Sequence, residues 1–230
     1  MLRVAVARMP ADDAAMPAWL GDSERRRWQA IGPAARGAFA ASRALLRELL
    51  QAVSGVPFAD WRVSAEAGTA PRVEAPGVAH GAWHASLSHR LGWVAAAVAD
   101  TAIGIDLECD RTPRSVPDER AALMLAPAEL VEWHALPDAD REAALLARWT
   151  AKEAWFKASP PETAPWDFRR IAAIACPRAD ANVRTWTAPP LHVALSCADA
   201  PALATADCEG LAFAMTHDSF WRVHRVAFAT

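Results

Sequence analysis

Between residues 34 and 53, apolar side chains recur at close to 3.6-residue spacing. Phe39, Leu45, Leu46, Leu49, Leu50 and Val53 share one face, and Arg36, Arg43 and Arg47 interleave. This pattern predicts a long amphipathic helix, with Gly32-Pro33 ahead of it and Gly55-Val56-Pro57 ending it. A shorter, charged helix is expected from Asp22-Ser23-Glu24, with Ser23 as its N-cap. Residues 2–7 alternate weakly, as a strand does. Residues 66–82 hold three Gly and two Pro and read as loop or short irregular strand. From Trp93 to Ala99 the chain is apolar. After Asp100-Thr101, residues 102–108 alternate with period two, so the two runs read as a β-hairpin. Residues 110–118 read as an exposed connection. Helices are expected over 119–135 and 140–158, the second stopped by Pro160-Pro161. Phe220 to Phe228 alternates and predicts a last strand. The order of helices, hairpin, helices and strands predicts an α+β fold of two halves, with a seam near 100–110.

Composition narrows the class. A chain of 230 residues is one large domain or two small ones. Its 53% hydrophobic content overstates the core, because 56 of those residues are Ala. A net charge of -3 argues against a general nucleic-acid binder. No uncharged apolar run reaches the roughly 18 residues of a membrane span, and Met1 to Arg8 lacks the apolar stretch of a signal peptide. Cys109, Cys176, Cys197 and Cys208 form no C-x-x-C pair, so neither a disulfide framework nor a zinc site is signalled. The expectation is a cytoplasmic protein with reduced thiols. The cationic side chains are 22 Arg and only 2 Lys, and both lysines, Lys152 and Lys157, fall in one helix.

Three features carry candidate chemistry. Asp106 and Glu108 stand two apart on a predicted strand and so share a face. Gly104 on that face is expected to keep it open, while Ile103, Ile105 and Leu107 turn to the core. The pair suits a hard divalent cation such as Mg²⁺, or is simply a solvated strand face. Trp149, Glu153 and Lys157 lie at i, i+4 and i+8 along one helix face. Glu153 and Lys157 make either an ordinary surface ion pair or, because Lys survives where Arg would serve a surface pair, a phosphate contact. Ser86-Leu87-Ser88-His89-Arg90 gathers hydroxyl, imidazole and guanidinium at a strand entrance. Adjacent residues on an extended segment point to opposite faces, which argues against a Ser-His nucleophile pair. Phosphate binding by Ser88 and His89 fits better, and a structural histidine is the alternative.

In order and spacing these segments resemble the 4'-phosphopantetheinyl transferases, specifically the larger, surfactin-synthetase-activating type. Ser86-Leu87-Ser88-His89 resembles that family's serine–histidine motif. Gly104-Ile105-Asp106-Leu107-Glu108 resembles its G-[IV]-D-[IL]-E strand. Trp149-Thr150-Ala151-Lys152-Glu153-Ala154 with Lys157 resembles its W-[ST]-x-K-E-A-x-x-K helix. Arg36, Phe39, Ser42, Arg43 and Leu46 resemble its N-terminal R-x-x-F-x-x-S-R-x-x-L stretch. The likeness spans about 36–158. The chain departs from the family at two places. The family's G-K-P is replaced by Gly68-Thr69-Ala70-Pro71-Arg72, and only Glu129 matches its F-[ST]-x-x-E element.

The resemblance implies two similar, pseudo-twofold-related α/β subdomains, 1–103 and 104–230. It implies a Mg²⁺-dependent enzyme, with Mn²⁺ as a substitute. The reaction moves the 4'-phosphopantetheine arm of coenzyme A to a serine of an acyl or peptidyl carrier protein and releases 3',5'-adenosine bisphosphate. Asp106, Glu108 and Glu153 would hold the metal, and Glu153 and Lys157 would be catalytic. Arg36, Arg43, Arg72, Ser88, His89, Lys152 and Lys157 would bind coenzyme A, and Arg25-Arg26-Arg27 would either meet its 3'-phosphate or form a solvated helix face. Neither nucleic acid nor membrane is an expected partner, and a monomer suffices. A nucleotide hydrolase is disfavoured by the lack of a G-x-x-x-x-G-K-[ST] loop. The alternative is a non-catalytic protein on the same fold that binds carrier proteins or coenzyme A.

Overall fold

The computed structural model describes residues 1–9, 15–110, 117–159, 167–206, 208–209 and 217–226. Its elements, in chain order, are β1 (Leu2–Arg8), α1 (Asp22–Ala30), α2 (Pro33–Ser54), β2 (Arg62–Val63), β3 (Val73–Glu74), β4 (His84–Arg90), β5 (Trp93–Ala99), β6 (Ile103–Cys109), α3 (Pro117–Met124), α4 (Pro127–His134), α5 (Asp138–Ala158), β7 (Ile171–Ala175), β8 (Val183–Ala188), β9 (Leu191–Cys197), α6 (Ala200–Thr205), β10 (Cys208–Glu209) and β11 (His217–Arg225). A four-stranded sheet has the order β10-β1-β5-β4, and a five-stranded sheet the order β6-β9-β8-β11-β7. All neighbours are antiparallel except β10, which runs parallel to β1. Strands β2 and β3 form a separate two-stranded ribbon.

The predicted helices form. Helix α2 starts with Pro33, whose missing N–H costs nothing in the first turn. It ends at Gly55, whose φ of 74° suits glycine. It buries Leu45, Leu46, Leu49 and Leu50 against Val94, Ala96 and Val98 of β5. Helix α1 is capped differently from the expectation. Gly21 is the N-cap, its N–H donating to the Glu24 carboxylate, and the Ser23 hydroxyl instead accepts the Ala65 N–H. Glu24 is fully buried and takes a two-pronged contact from the buried Arg47, at 2.9 and 2.5 Å, which clamps α1 to α2. The expected helix over 119–135 is divided into α3 and α4 at Pro127. Helix α5 starts at Asp138, and Pro160-Pro161 beyond it lies outside the described residues. So does most of the expected connection over 110–118, namely 111–116. The last strand runs over 217–225 rather than 220–228, and 227–228 lie outside the described residues.

The expected hairpin is corrected. Both runs are strands, but β5 and β6 do not pair. Strand β5 pairs with β4 and β1, and β6 pairs with β9 in the other sheet. Strand β5 is buried on both faces. Its Val94, Ala96 and Val98 pack under α2, while Ala95, Ala97 and Ala99 pack on Ile103, Ile105, Leu107, Leu195 and Trp186 of the second sheet. The layers are therefore α2, first sheet, second sheet, α5. The alanines on β5 are small enough to let the sheets approach.

Along one side the sheets meet edge to edge. The Ser86 hydroxyl of β4 accepts the Ile105 N–H of β6 at 3.0 Å, and the Ser88 hydroxyl accepts the Leu107 N–H at 3.1 Å. Side-chain oxygens thus satisfy amides that a further strand would otherwise take. Among the described residues no helix is long and apolar enough to cross a membrane. Among the described residues no disulfide joins Cys109, Cys176, Cys197 or Cys208.

Candidate active site

The site lies where α5 crosses β6. The expectation that Gly104 leaves its strand face open is reversed. A Cβ on Gly104 would stand 2.0 Å from the Ala154 carbonyl oxygen and 2.6 Å from the Ala158 nitrogen. Glycine is there so that the helix can lie on the strand, and the face that carries Asp106 and Glu108 is covered by helix rather than water.

Asp106 is 6% exposed. Its Oδ1 accepts from the Ser88 hydroxyl at 3.0 Å and from the Lys157 ammonium at 2.6 Å, while Oδ2 is buried with no hydrogen-bond partner. Lys157 Nζ also donates to the Ile105 carbonyl at 3.2 Å. Two residues on, Glu108 accepts from the Trp149 indole. Its Oε2 lies 3.0 Å from Arg90 Nε, yet neither atom is aligned in a hydrogen bond. Burial pushes the Glu108 carboxyl up, Arg90 opposes that, and Asp106 adds to it. Glu153 is pushed up to about 7, first by burial, then by the negative charge of Asp106, with Lys157 opposing and Glu108 contributing. So Trp149, Glu153 and Lys157, at i, i+4 and i+8, all face the two strand carboxylates.

The other expected site residues divide. Ser88 is buried and serves Asp106 and the Leu107 amide rather than standing free for a phosphate. His89, on the opposite face of β4, is exposed. Its imidazole is held below the usual range by desolvation and by the positive charges of Lys157, Arg43 and Arg90. Arg43, on α2, lies over the Phe39 ring and 3.7 Å from Glu24. Burial lowers its pKa to about 10. Arg36 donates to the Trp28 carbonyl and covers the Trp28 ring, and Arg25 is tied to the Leu20 and Ala18 carbonyls.

Lys152 is not with this group. It is fully buried, donating to Glu129 at 2.5 Å and to the Met124 and Phe168 carbonyls. Glu129 also accepts from the Ala126 and Ala173 amides. The pair ties α4, α5 and β7 together, so the sequence motif that placed Lys152 beside an anionic ligand is corrected to a structural lysine. Arg90 received no role from the sequence. The signal for it is the alternation Ser86, Ser88, Arg90, which puts all three on the face of β4 that meets β6.

On the other side of Lys157 opens a cleft of about 400 Å³, lined by Arg72, His80, Trp83, His84, Ile103 and Lys157 but by none of Asp106, Glu108 and Glu153. Arg72 is exposed on its rim, 3.5 Å from Glu66. Lys157 is therefore shared, lining the cleft while its Nζ holds Asp106.

Among the described residues no three carboxylate, imidazole or thiol groups already converge in metal-ligand geometry. The donor set nevertheless fits a hard cation. Two buried carboxylate oxygens, Asp106 Oδ2 and Glu108 Oε2, have no hydrogen-bond partner, and Glu153 is pushed up first by burial and then by the charge of Asp106. A divalent cation gives the two oxygens a partner and offsets that negative charge, and Mg²⁺ takes oxygen ligands of this kind.

Acidic side chains thus meet lysine and arginine at a buried strand–helix junction. Residues 102–206 match the family model of the 4'-phosphopantetheinyl transferase superfamily, which supports a transferase of that type. The matched segment carries Asp106, Glu108, Trp149, Glu153 and Lys157. No curated protein matches the chain.

Proposed function

We propose that the chain transfers the 4'-phosphopantetheine group of coenzyme A to a serine hydroxyl of an acyl or peptidyl carrier protein. The serine oxygen forms a bond to the phosphorus that carries the pantetheine arm. The pyrophosphate P–O bond breaks, and 3',5'-adenosine bisphosphate leaves. The observation that carries this reading is the convergence of Glu153 and Lys157 from α5 on Asp106 and Glu108 from β6, with Lys157 also lining a cleft on its other side.

Phosphoryl transfer of this kind needs positioning and charge neutralisation more than covalent help. Asp106, Glu108 and Glu153 would hold Mg²⁺ or Mn²⁺, whose charge neutralises pyrophosphate oxygens when bound. Lys157 presents its ammonium to the transferred phosphate. His89, Arg43 and Arg72 supply donors along coenzyme A. Glu153 either completes the metal site or takes the proton of the carrier serine, directly or through a water. The first sheet lies outside the matched segment and is backed by its own long helix, which supports the larger two-subdomain type, although its β10 comes from residues 208–209, so a division at 103/104 does not part the two sheets. Two sheets in one chain make a monomer sufficient.

The test is incubation with coenzyme A, Mg²⁺ and a panel of apo carrier proteins. A carrier mass gain of one phosphopantetheine group, matched by released 3',5'-adenosine bisphosphate, is expected. Coenzyme A binding without any mass gain across the panel would point to a non-catalytic binder.

A further inference from the structure

Strand β4 sends three alternate side chains to β6. Ser86 meets the Ile105 amide, Ser88 meets Asp106 and the Leu107 amide, and Arg90 meets Glu108. The two serine contacts are aligned hydrogen bonds. The third differs in kind: Arg90 Nε and Glu108 Oε2 are 3.0 Å apart and buried, yet neither makes a hydrogen bond. What holds them is charge alone, and the Arg90 side chain keeps 32% exposure, so it has somewhere else to go. Its alternative neighbours are also defined. The neighbouring His89 imidazole is held below its usual range first by desolvation, then by the charges of Lys157, Arg43 and, last, Arg90. Each cation here is paired, Arg90 with Glu108, Lys157 with Asp106 and Arg43 with Glu24, so a guanidinium that leaves its carboxylate is free to meet an anion.

We propose that Arg90 is a displaceable counter-ion. It neutralises Glu108 in the metal-free protein, yields that carboxylate to an incoming divalent cation, and then turns its guanidinium to the pyrophosphate of coenzyme A. This inference rests on the metal and coenzyme A assignments above. Its physical basis is a charge exchange. A dication at Glu108 and a guanidinium on the same oxygen repel each other, so the cation must expel Arg90 to bind. A released guanidinium matches phosphate oxygens in a two-pronged contact that an ammonium does not offer. Metal and coenzyme A then bind cooperatively through one side chain, each affinity raised by the other to the same factor.

The test measures binding, not turnover. Mg²⁺ and Mn²⁺ are titrated calorimetrically into wild type, Arg90→Gln and Arg90→Lys without coenzyme A, with thermal melts to confirm folding. Removing the competing charge should tighten metal binding by about tenfold in Arg90→Gln, the scale of one half-buried ion pair. Arg90→Lys keeps the charge and should stay within a few-fold of wild type. Coenzyme A titrated with and without saturating Mg²⁺ should show a smaller metal-dependent gain in Arg90→Gln than in wild type. Metal affinity in Arg90→Gln that equals or falls below wild type would overturn the proposal, since a guanidinium that merely positions Glu108 predicts weaker binding on its loss. A wild-type chain and variants that all bind no divalent cation would instead sink the metal assignment itself, and this inference with it.

Discussion

Lys152 and Lys157 are the only lysines among 24 cationic side chains, and they do different things five residues apart. Lys152 Nζ is enclosed by Glu129 and two carbonyls. Lys152→Ala leaves the Glu129 carboxylate buried and unpaired, so it should cost about 3–5 kcal/mol in denaturant unfolding. Lys157 is partly exposed, at 28% of its side chain, and its ammonium meets Asp106 at 2.6 Å. Lys157→Arg keeps charge and helix propensity but brings a longer, planar head to a spot that a point charge fills. Transfer should fall at least about tenfold, or 1.4 kcal/mol of transition-state stabilisation, with the melting temperature unchanged. Wild-type turnover in that variant would make the lysine an accident of composition. Glu153→Gln keeps size while removing charge and basicity. Turnover should drop by about 10²–10⁴ while coenzyme A binding by calorimetry stays within a few-fold, and a collapse of binding along with turnover would make Glu153 chiefly a metal ligand. The rarity of lysine pointed to both residues equally. Only the three-dimensional neighbourhood separates them, because Glu129 lies 23 positions away in sequence. Ser88 and His89 tell a similar story. Alternation on β4 places them on opposite faces, the same rule that argued against a Ser-His pair, and so only one of them reaches the carboxylates.

Helix α5 and strand β6 are matched at Gly104. Gly104→Ala would drive a methyl carbon against the Ala154 carbonyl and the Ala158 nitrogen, and backbone cannot rotate away as a side chain can. The helix must lift, which should cost about 1–3 kcal/mol and lower turnover more than a distant substitution of equal cost, because Glu153 and Lys157 ride on that helix. Denaturation and steady-state kinetics on the one variant check both. The β4–β5 hairpin turns through Leu91 and Gly92, with φ of 44° and 84°. Positive φ at both central residues marks a turn that favours Asn-Gly. Leu91 is also 66% exposed, so Leu91→Asn should stabilise the protein by about 1 kcal/mol, read as a higher denaturation midpoint. Most elements are legible in the chain, since period and breakers locate helices and strands within a few residues. Partners are not. The runs 93–99 and 103–109 have the spacing of a hairpin, but alternation says which face is apolar and nothing about which strand lies alongside. Glycine is equally ambiguous. The missing Cβ at 104 reads as empty space, whereas it is filled by another element's backbone.

At the scale of the molecule, the carboxylates set how stability answers pH. A carboxyl raised from 4.5 to about 7 in the fold, as Glu153 is, keeps its proton more tightly folded than unfolded. Its contribution is present in full below about pH 4.5 and is lost as pH rises through 7. In chelator-treated protein the melting temperature should therefore fall across that window more in wild type than in Glu153→Gln, and Mg²⁺ should restore it more at pH 8 than at pH 5. Parallel pH profiles for the two proteins would contradict the coupling. The edge-to-edge meeting of the sheets bears on the site in a further way. Ser86, Ser88 and Arg90 reach β6 because His84 pairs with Ala99 and Arg90 with Trp93 across the hairpin. Were β4 to slip by one residue, Ala85, Leu87 and His89 would be presented in their place. Asp106 would then face a leucine where its serine had been. The carboxylates thus depend on a count kept elsewhere. A single insertion or deletion in β4 would silence chemistry 18 residues downstream, in a segment whose own sequence is untouched.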